Sequence, residues 1–122
     1  MIVLEQAQVR TEEKDCPKRI LPIRDTLDVL SGKWKLPIIG SLFFGKKRFK
    51  ELERDIPKIT PRMLSKELRE LEINQLVSRR VYDTIPATVE YEITEYGKTL
   101  SNVLDAMMDW GTIHRKRIIG EK

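Results

Sequence analysis

Apolar and polar positions change their period several times along this chain, and each change marks an element. From Pro22, the positions Ile23, Thr26, Leu27 and Leu30 follow helical spacing up to Ser31-Gly32, where the glycine stops the helix. Lys33-Trp34-Lys35 opens a second helix, with Pro37 in its first turn. Trp34, Ile38, Ile39, Leu42 and Phe43 make this helix apolar enough to be the centre of the core, and Gly45 with the basic cluster Lys46–Arg48 ends it. Phe49, Leu52 and Glu53 mark a short third helix that closes near Asp55-Ile56-Pro57.

After the turn Pro57–Thr60 comes the stretch around which the rest is organised. Thr60 has a hydroxyl suited to cap a helix, and Pro61 follows at the position where a missing N–H costs least. Leu64, Leu68 and Leu71 recur at i, i+4 and i+7 and form one apolar face, while Arg62, Ser65, Lys66 and Arg69 fall on the other side. Two short helices joined by a few turn residues, the second basic on its outer face, make a helix-turn-helix. The same spacing also describes an ordinary amphipathic surface helix, so the rest of the chain has to separate the two.

Beyond Asn74-Gln75 the period becomes two. Val77, Arg79 and Val81 alternate with Ser78, Arg80 and Tyr82; Thr88, Glu90 and Glu92 alternate with Val89, Tyr91 and Ile93. Asp83–Ala87, containing Pro86, joins the two runs as a hairpin loop longer than a tight turn, and a hairpin placed directly after a recognition helix is a wing. Thr94 then caps a last helix on which Tyr96, Leu100, Val103, Leu104, Met107 and Gly111 form a stripe, with Met108 and Trp110 adding apolar surface beside it. That is more apolar surface than so small a domain needs on a terminal helix, which reads as a dimer interface of Leu100, Val103, Leu104, Met107, Met108 and Trp110. Packing within one chain is the alternative.

Composition bounds the reading. The chain has 122 residues, enough for one domain, with 34% charged and 40% apolar residues, so it folds around a real core. Its formal charge of +4 is unevenly spread: between Gly45 and Lys66, Lys46, Lys47, Arg48, Lys50, Arg54, Lys58, Arg62 and Lys66 face only Glu51, Glu53 and Asp55. Such a concentration is the electrostatic footprint of a nucleic-acid binder. One cysteine, Cys16, excludes an internal disulfide framework, and no apolar run reaches the ~20 residues of a membrane span, so a cytoplasmic protein without membrane contact is expected. There is no glycine-rich phosphate loop and no nucleophile with a base; the acids sit beside basic residues at exposed positions, so an enzyme is not expected. Cys16 and the lone His114 lie at opposite ends of the chain and cannot complete a four-ligand zinc site, so neither metal nor cofactor is expected.

Several stretches resemble the HxlR-type regulators, a bacterial branch of the MarR-like winged-helix proteins. These are Ser31-Gly32-Lys33-Trp34, Lys47-Arg48-Phe49-Lys50-Glu51-Leu52, the run Ile59–Leu71, the run Val89–Gly97, and Trp110-Gly111. They keep the family's order over about residues 22–114. The resemblance implies a homodimeric transcription regulator on a (pseudo)palindromic double-stranded DNA operator, with the recognition helix in the major groove and the wing alongside. In much of this family a Cys-Pro pair sits just before the helix leading into Gly-Lys-Trp, and in some members that cysteine senses oxidants or electrophiles. Here the matching position is about Leu21, beside Pro22, and Cys16-Pro17 lies five residues upstream.

The expected fold is therefore mostly α with a small β-hairpin: a winged helix-turn-helix with a C-terminal dimerisation helix. Residues 1–21 form an N-terminal arm in contact with the dimer partner, 22–94 the DNA-binding core, and 95–122 the dimerisation helix and basic tail. The recognition helix spans about 60–73 and the wing about 77–94. Candidate DNA contacts are Thr60, Pro61, Arg62, Ser65, Lys66 and Arg69, of which Thr60 and Pro61 also set the helix start and Thr60 is placed to touch a phosphate. Lys46, Lys47, Arg48 and Lys50 are candidate phosphate clamps, with a solvated basic run as the alternative; on the wing, alternation turns one of Arg79 and Arg80 outward, and Arg80 is favoured. Lys14, Lys18 and Arg19 around Cys16 favour a reactive thiolate and Asp15 opposes it, which makes Cys16 a candidate sensor and an inert thiol the alternative. A small-molecule effector would need a pocket near Trp34, Phe43, Met107 and Trp110. A winged helix used for protein–protein assembly remains the alternative function.

Overall fold

A computed structural model of the protein describes residues 16–120, with Cys16 and Pro17 as backbone alone. Most of the expected arm and the end of the basic tail lie outside the described residues. The chain falls into two units that meet between Ser31 and Gly32.

The first unit carries helix α1 (Cys16–Val29), which begins upstream of the expected start and contains Pro22. The carbonyl that Pro22 leaves without an N–H is that of Lys18, on an exposed stretch open to solvent. One turn on, the Thr26 hydroxyl donates to the Pro22 carbonyl at 2.8 Å. Ile20, Leu21, Ile23 and Leu27 are all exposed, and among the described residues of this unit only Leu30, just past the helix, is buried.

The second unit holds the winged helix. Its elements are α2 (Lys35–Leu42), β1 (Lys47–Arg48), α3 (Phe49–Asp55), α4 (Pro61–Ile73), β2 (Val77–Tyr82), β3 (Thr88–Ile93), α5 (Glu95–Lys98) and α6 (Ser101–Ile119). The core is where the periodicities converge: Ile38, Ile39 and Leu42 of α2, Leu52 of α3, Leu64, Leu68 and Leu71 of α4, and Val77, Tyr91 and Ile93 of the sheet are buried. Ile56 and Ile59 bury the turn between α3 and α4, and Lys58 between them takes a left-handed φ of 71°. A non-glycine residue there costs about 1–2 kcal/mol, offset by the two buried isoleucines that flank it.

The hairpin forms at the expected residues, in a register running from Val77 opposite Ile93 to Tyr82 opposite Thr88. A third strand joins it. Lys47 pairs with Tyr91 and Arg48 with Glu90, giving an antiparallel sheet in the order β1-β3-β2. Two residues carry no period, so the basic run that forms β1 reads in sequence only as the end of a helix.

The last helix is broken once. Thr94 caps α5 by accepting from the Gly97 N–H at 2.8 Å, and its hydroxyl donates to the Gln75 carbonyl at 2.7 Å, fastening the helix start to the α4–β2 turn. Gly97 is required there, because a Cβ would collide with the Leu76 carbonyl oxygen and with Ile93. The chain turns at Thr99-Leu100 before α6, in which none of the nineteen residues is buried.

Candidate nucleic-acid interface

Helix α4 is held at its start, along its inner face and at one carboxylate pair. The Thr60 side chain accepts the Met63 N–H at 3.2 Å, and Pro61 occupies the first helical position. The leucine seam turns Arg62, Lys66 and Arg69 to solvent and leaves Ser65 half-buried. Arg62 and Arg69 make no ion pair or hydrogen bond with any described residue. Lys66 lies 3.2 Å from Glu70 and 4.0 Å from Glu67 on its own helix.

The inner face also carries a charge that periodicity did not flag. Lys35, at the start of α2, is 3% exposed, and its ammonium donates to Glu67 Oε1 at 2.6 Å and Glu70 Oε1 at 2.5 Å. Burial works against the ammonium, but the hydrogen bonds and attraction of the two carboxylates outweigh it, so its pKa lies above the ordinary lysine value. The Glu70 carboxyl is held below its ordinary value, first by the hydrogen bond from Lys35 and then by that from Lys66. Lys35 thus fixes α4 against α2 and cancels carboxylate charge on a helix that otherwise faces outward with cations. The available signal was on α4: Glu67 and Glu70 flank Leu64, Leu68 and Leu71, and acids on a buried seam need a cation on the facing helix.

The basic run before and within α3 is divided by its partners. Lys47 is ion-paired with Asp55 and also donates to the Ser41 hydroxyl at 3.1 Å, while Ser41 donates to Asp55 at 2.8 Å. The Lys47 hydrogen bond, followed by that from Ser41, lowers the Asp55 pKa. Lys46 sits 3.8 Å from Glu90 of β3. Arg48 and Lys50 are exposed; the Arg48 backbone N–H donates to Glu51 Oε1 at 2.8 Å, which secures the start of α3.

On the wing, Arg80 shares a sheet face with Tyr82, whose ring centroid is 5.5 Å from its guanidinium, and with its cross-strand partner Glu90. Arg79 lies on the other face, opposite Tyr91, and with Tyr91 borders a notch whose remaining wall is Ser65, Arg69 and Glu72 of α4. Both arginines are exposed. The register explains the placement: Arg79 belongs with Val77, which is buried, and that face is the one turned toward α4.

Helix α6 presents a different surface. Val103, Met107 and Trp110, with Asn102 and Ala106, line a shallow apolar groove along it, and the Trp110 ring stacks on His114 at 4.8 Å. Trp34 and Phe43 are not among the residues lining this groove. Leu100 and Leu104 are half-buried, and Met108 is exposed. The side chain of Cys16 is outside the described residues. Among the described residues, no group of His, Cys, Asp and Glu is placed to hold a metal, and no helix is long and apolar enough to cross a membrane.

Comparison with known proteins agrees with this geometry. A model of the HxlR-like helix-turn-helix family matches residues 29–118. The chain is 45% identical over 101 residues to the uncharacterized HTH-type transcriptional regulator YtcD of Bacillus subtilis (strain 168), covering 83% of this chain and 80% of YtcD. Among solved structures it is similar to the redox regulator HypR in its reduced form, with a TM-score of 0.77 and 44% identity over 82% of this chain and 99% of HypR. It is also similar to the reduced form of the transcriptional regulator YodB from B. subtilis, with a TM-score of 0.70 and 34% identity over 88% of this chain and 98% of YodB.

Proposed function

The chain belongs to the HxlR-like helix-turn-helix family of transcriptional regulators, and from that premise we propose that it binds a (pseudo)palindromic double-stranded DNA operator as a homodimer. Helix α4 enters the major groove, the β2–β3 wing lies alongside, and α6 joins the two copies. The observation that carries this reading is α4 itself. Its leucines are buried, its carboxylates Glu67 and Glu70 are bound by Lys35, and Arg62, Ser65, Lys66 and Arg69 remain on the outward side. Arg62, in the first turn, stands where a recognition helix reaches base edges; the cations further along meet phosphates. The exposed apolar residues of α6 support the second copy, which places two recognition helices one turn of DNA apart, about 34 Å.

The test is fluorescence anisotropy on a duplex that the protein itself selects from a randomised library, against a shuffled duplex and across a salt series. Binding is expected to prefer the selected duplex and to weaken steeply with salt. Arg62→Ala is expected to cost about 1–3 kcal/mol on the selected duplex with little change on the shuffled one, and Lys66→Ala to weaken both. Unchanged affinity in both variants removes α4 from the interface. Equal weak binding of the wild type to both duplexes favours the protein-assembly reading.

The similarity to HypR and YodB supports an oxidant or electrophile as the signal, acting through Cys16. Release of the selected duplex on treatment with a thiol oxidant, abolished in Cys16→Ser, is the expected result. Release that persists in Cys16→Ser rejects the thiol as sensor.

A further inference from the structure

Two arginines with no partner among the described residues share one recess. Ser65, Arg69 and Glu72 lie at i, i+4 and i+7 on α4 and make one wall; Arg79 of β2 and its cross-strand neighbour Tyr91 make the other. Glu72 lines the same notch without coming into ion-pair range of either guanidinium. Arginine stays charged at every working pH and presents forked donors that match phosphate oxygens. Two guanidiniums against one carboxylate leave the notch with a net positive charge, and the half-buried Ser65 hydroxyl adds a donor.

We infer that the notch between α4 and β2 is a phosphate site, and that the group it takes is a backbone phosphodiester of the DNA on which α4 docks. The inference rests on the DNA-binding reading and deepens it. Position along the helix argues for backbone rather than base: Arg62 stands in the first turn, where base edges are reached, whereas Arg69 is two turns further on, at the seam with the wing. The wing tip Asp83–Ala87 has no cation, so any positive charge that the wing brings to the DNA backbone comes from its strands. Arg79 supplies that charge on the side facing α4, and a phosphate held between Arg69 and Arg79 ties the wing to the recognition helix across one DNA strand.

The experiment measures binding of the full chain to its selected duplex and to the shuffled duplex from low to high salt, for the wild type, Arg79→Ala, Arg79→Lys and Glu72→Gln. Losing one phosphate contact lowers the salt slope by about 0.9 per subunit and weakens binding roughly fivefold per subunit near 0.15 M salt. Arg79→Ala is expected to do this equally on both duplexes, with its melting temperature unchanged. Arg79→Lys is expected to restore the slope, and Glu72→Gln to tighten binding to both duplexes at low salt. An unchanged slope in Arg79→Ala while the wild type binds its selected duplex overturns the phosphate site and leaves the DNA-binding reading intact. A wild type that selects no duplex overturns both. Titration of the DNA-free protein with inorganic phosphate at constant ionic strength separates the two sources: micromolar binding lost in Arg79→Ala, without any loss of DNA affinity, assigns the notch to a free anion and overturns the phosphodiester.

Discussion

Helices α4 and α6 carry comparable apolar stripes and meet opposite fates. On α4, Leu64, Leu68 and Leu71 are fully covered by the chain's own core, and the acids beside them are bound by a buried lysine. On α6, Met107 and Trp110 remain 48% and 66% exposed, and Met108, Ile113, Ile118 and Ile119 are exposed with them. The same period thus has two uses. A stripe flanked by acids that a facing cation satisfies is seated within one chain, whereas the stripe on α6 stays open among the described residues and is the face we propose for a second copy. The first gives α4 a fixed orientation, which reading DNA demands; the second, on the proposed dimer reading, would set how two such helices are spaced.

The sharpest way to break this contrast is to remove the cation. Lys35→Met leaves the buried Glu67 with only the exposed Lys66, 4.0 Å away, and is expected to cost about 3–5 kcal/mol in urea unfolding, with the operator affinity falling as α4 loses its seat. Adding Glu67→Gln is expected to recover much of the stability, because the uncompensated charge and not the lost packing dominates. Equal stability of Lys35→Met and the wild type would mean that the ion pairs contribute nothing to the seat. On α6 the matching variant is Met107→Asp. A carboxylate in the centre of an apolar dimer face is expected to weaken self-association by a factor on the order of 100, read by sedimentation at several concentrations, with the circular dichroism of the folded chain unchanged. An unaltered sedimentation profile would place the dimer contact elsewhere.

Periodicity carried much of this into view. The helix-turn-helix, the bounds of both wing strands and the caps at Thr60 and Thr94 were legible, because each rests on spacing within a few residues. Three features were not. Strand β1 is only Lys47–Arg48, and a two-residue strand exists because β3 offers it an edge. The role of Lys35 depends on a contact with α4 across more than thirty residues of sequence, which no local pattern contains. Alternation puts Arg79 and Arg80 on opposite faces, yet both are exposed, and deciding which face meets α4 required the burial of Val77 and Tyr91. Local physics wrote the elements; long-range pairing decided which polar residues belong to the interior.

The smallest expected effect tests the point where α4's seat meets its outward face, at Glu70. Its carboxyl is held below the ordinary value of 4.5 by Lys35 first and Lys66 second. A carboxyl depressed on folding contributes stability that is present above its unfolded pKa and is lost as pH falls through the folded one. The melting-temperature difference between wild type and Glu70→Gln is therefore expected to be constant near neutrality, to shrink as pH falls below about 4.5, and to vanish once Glu70 is protonated in both states. Its partner has the opposite sign: the raised pKa of Lys35 makes its contribution complete below 10.5 and lost only as pH rises past the folded value. Glu70 also holds Lys66 at 3.2 Å, and that surface pair must open for Lys66 to meet a phosphate. Exposed pairs of this kind contribute little, so Glu70→Gln is expected to tighten operator binding by no more than roughly fivefold while it lowers stability. A variant that lowered both would show that Glu70 serves the seat of the helix alone, since orienting α4 would then outweigh releasing its lysine.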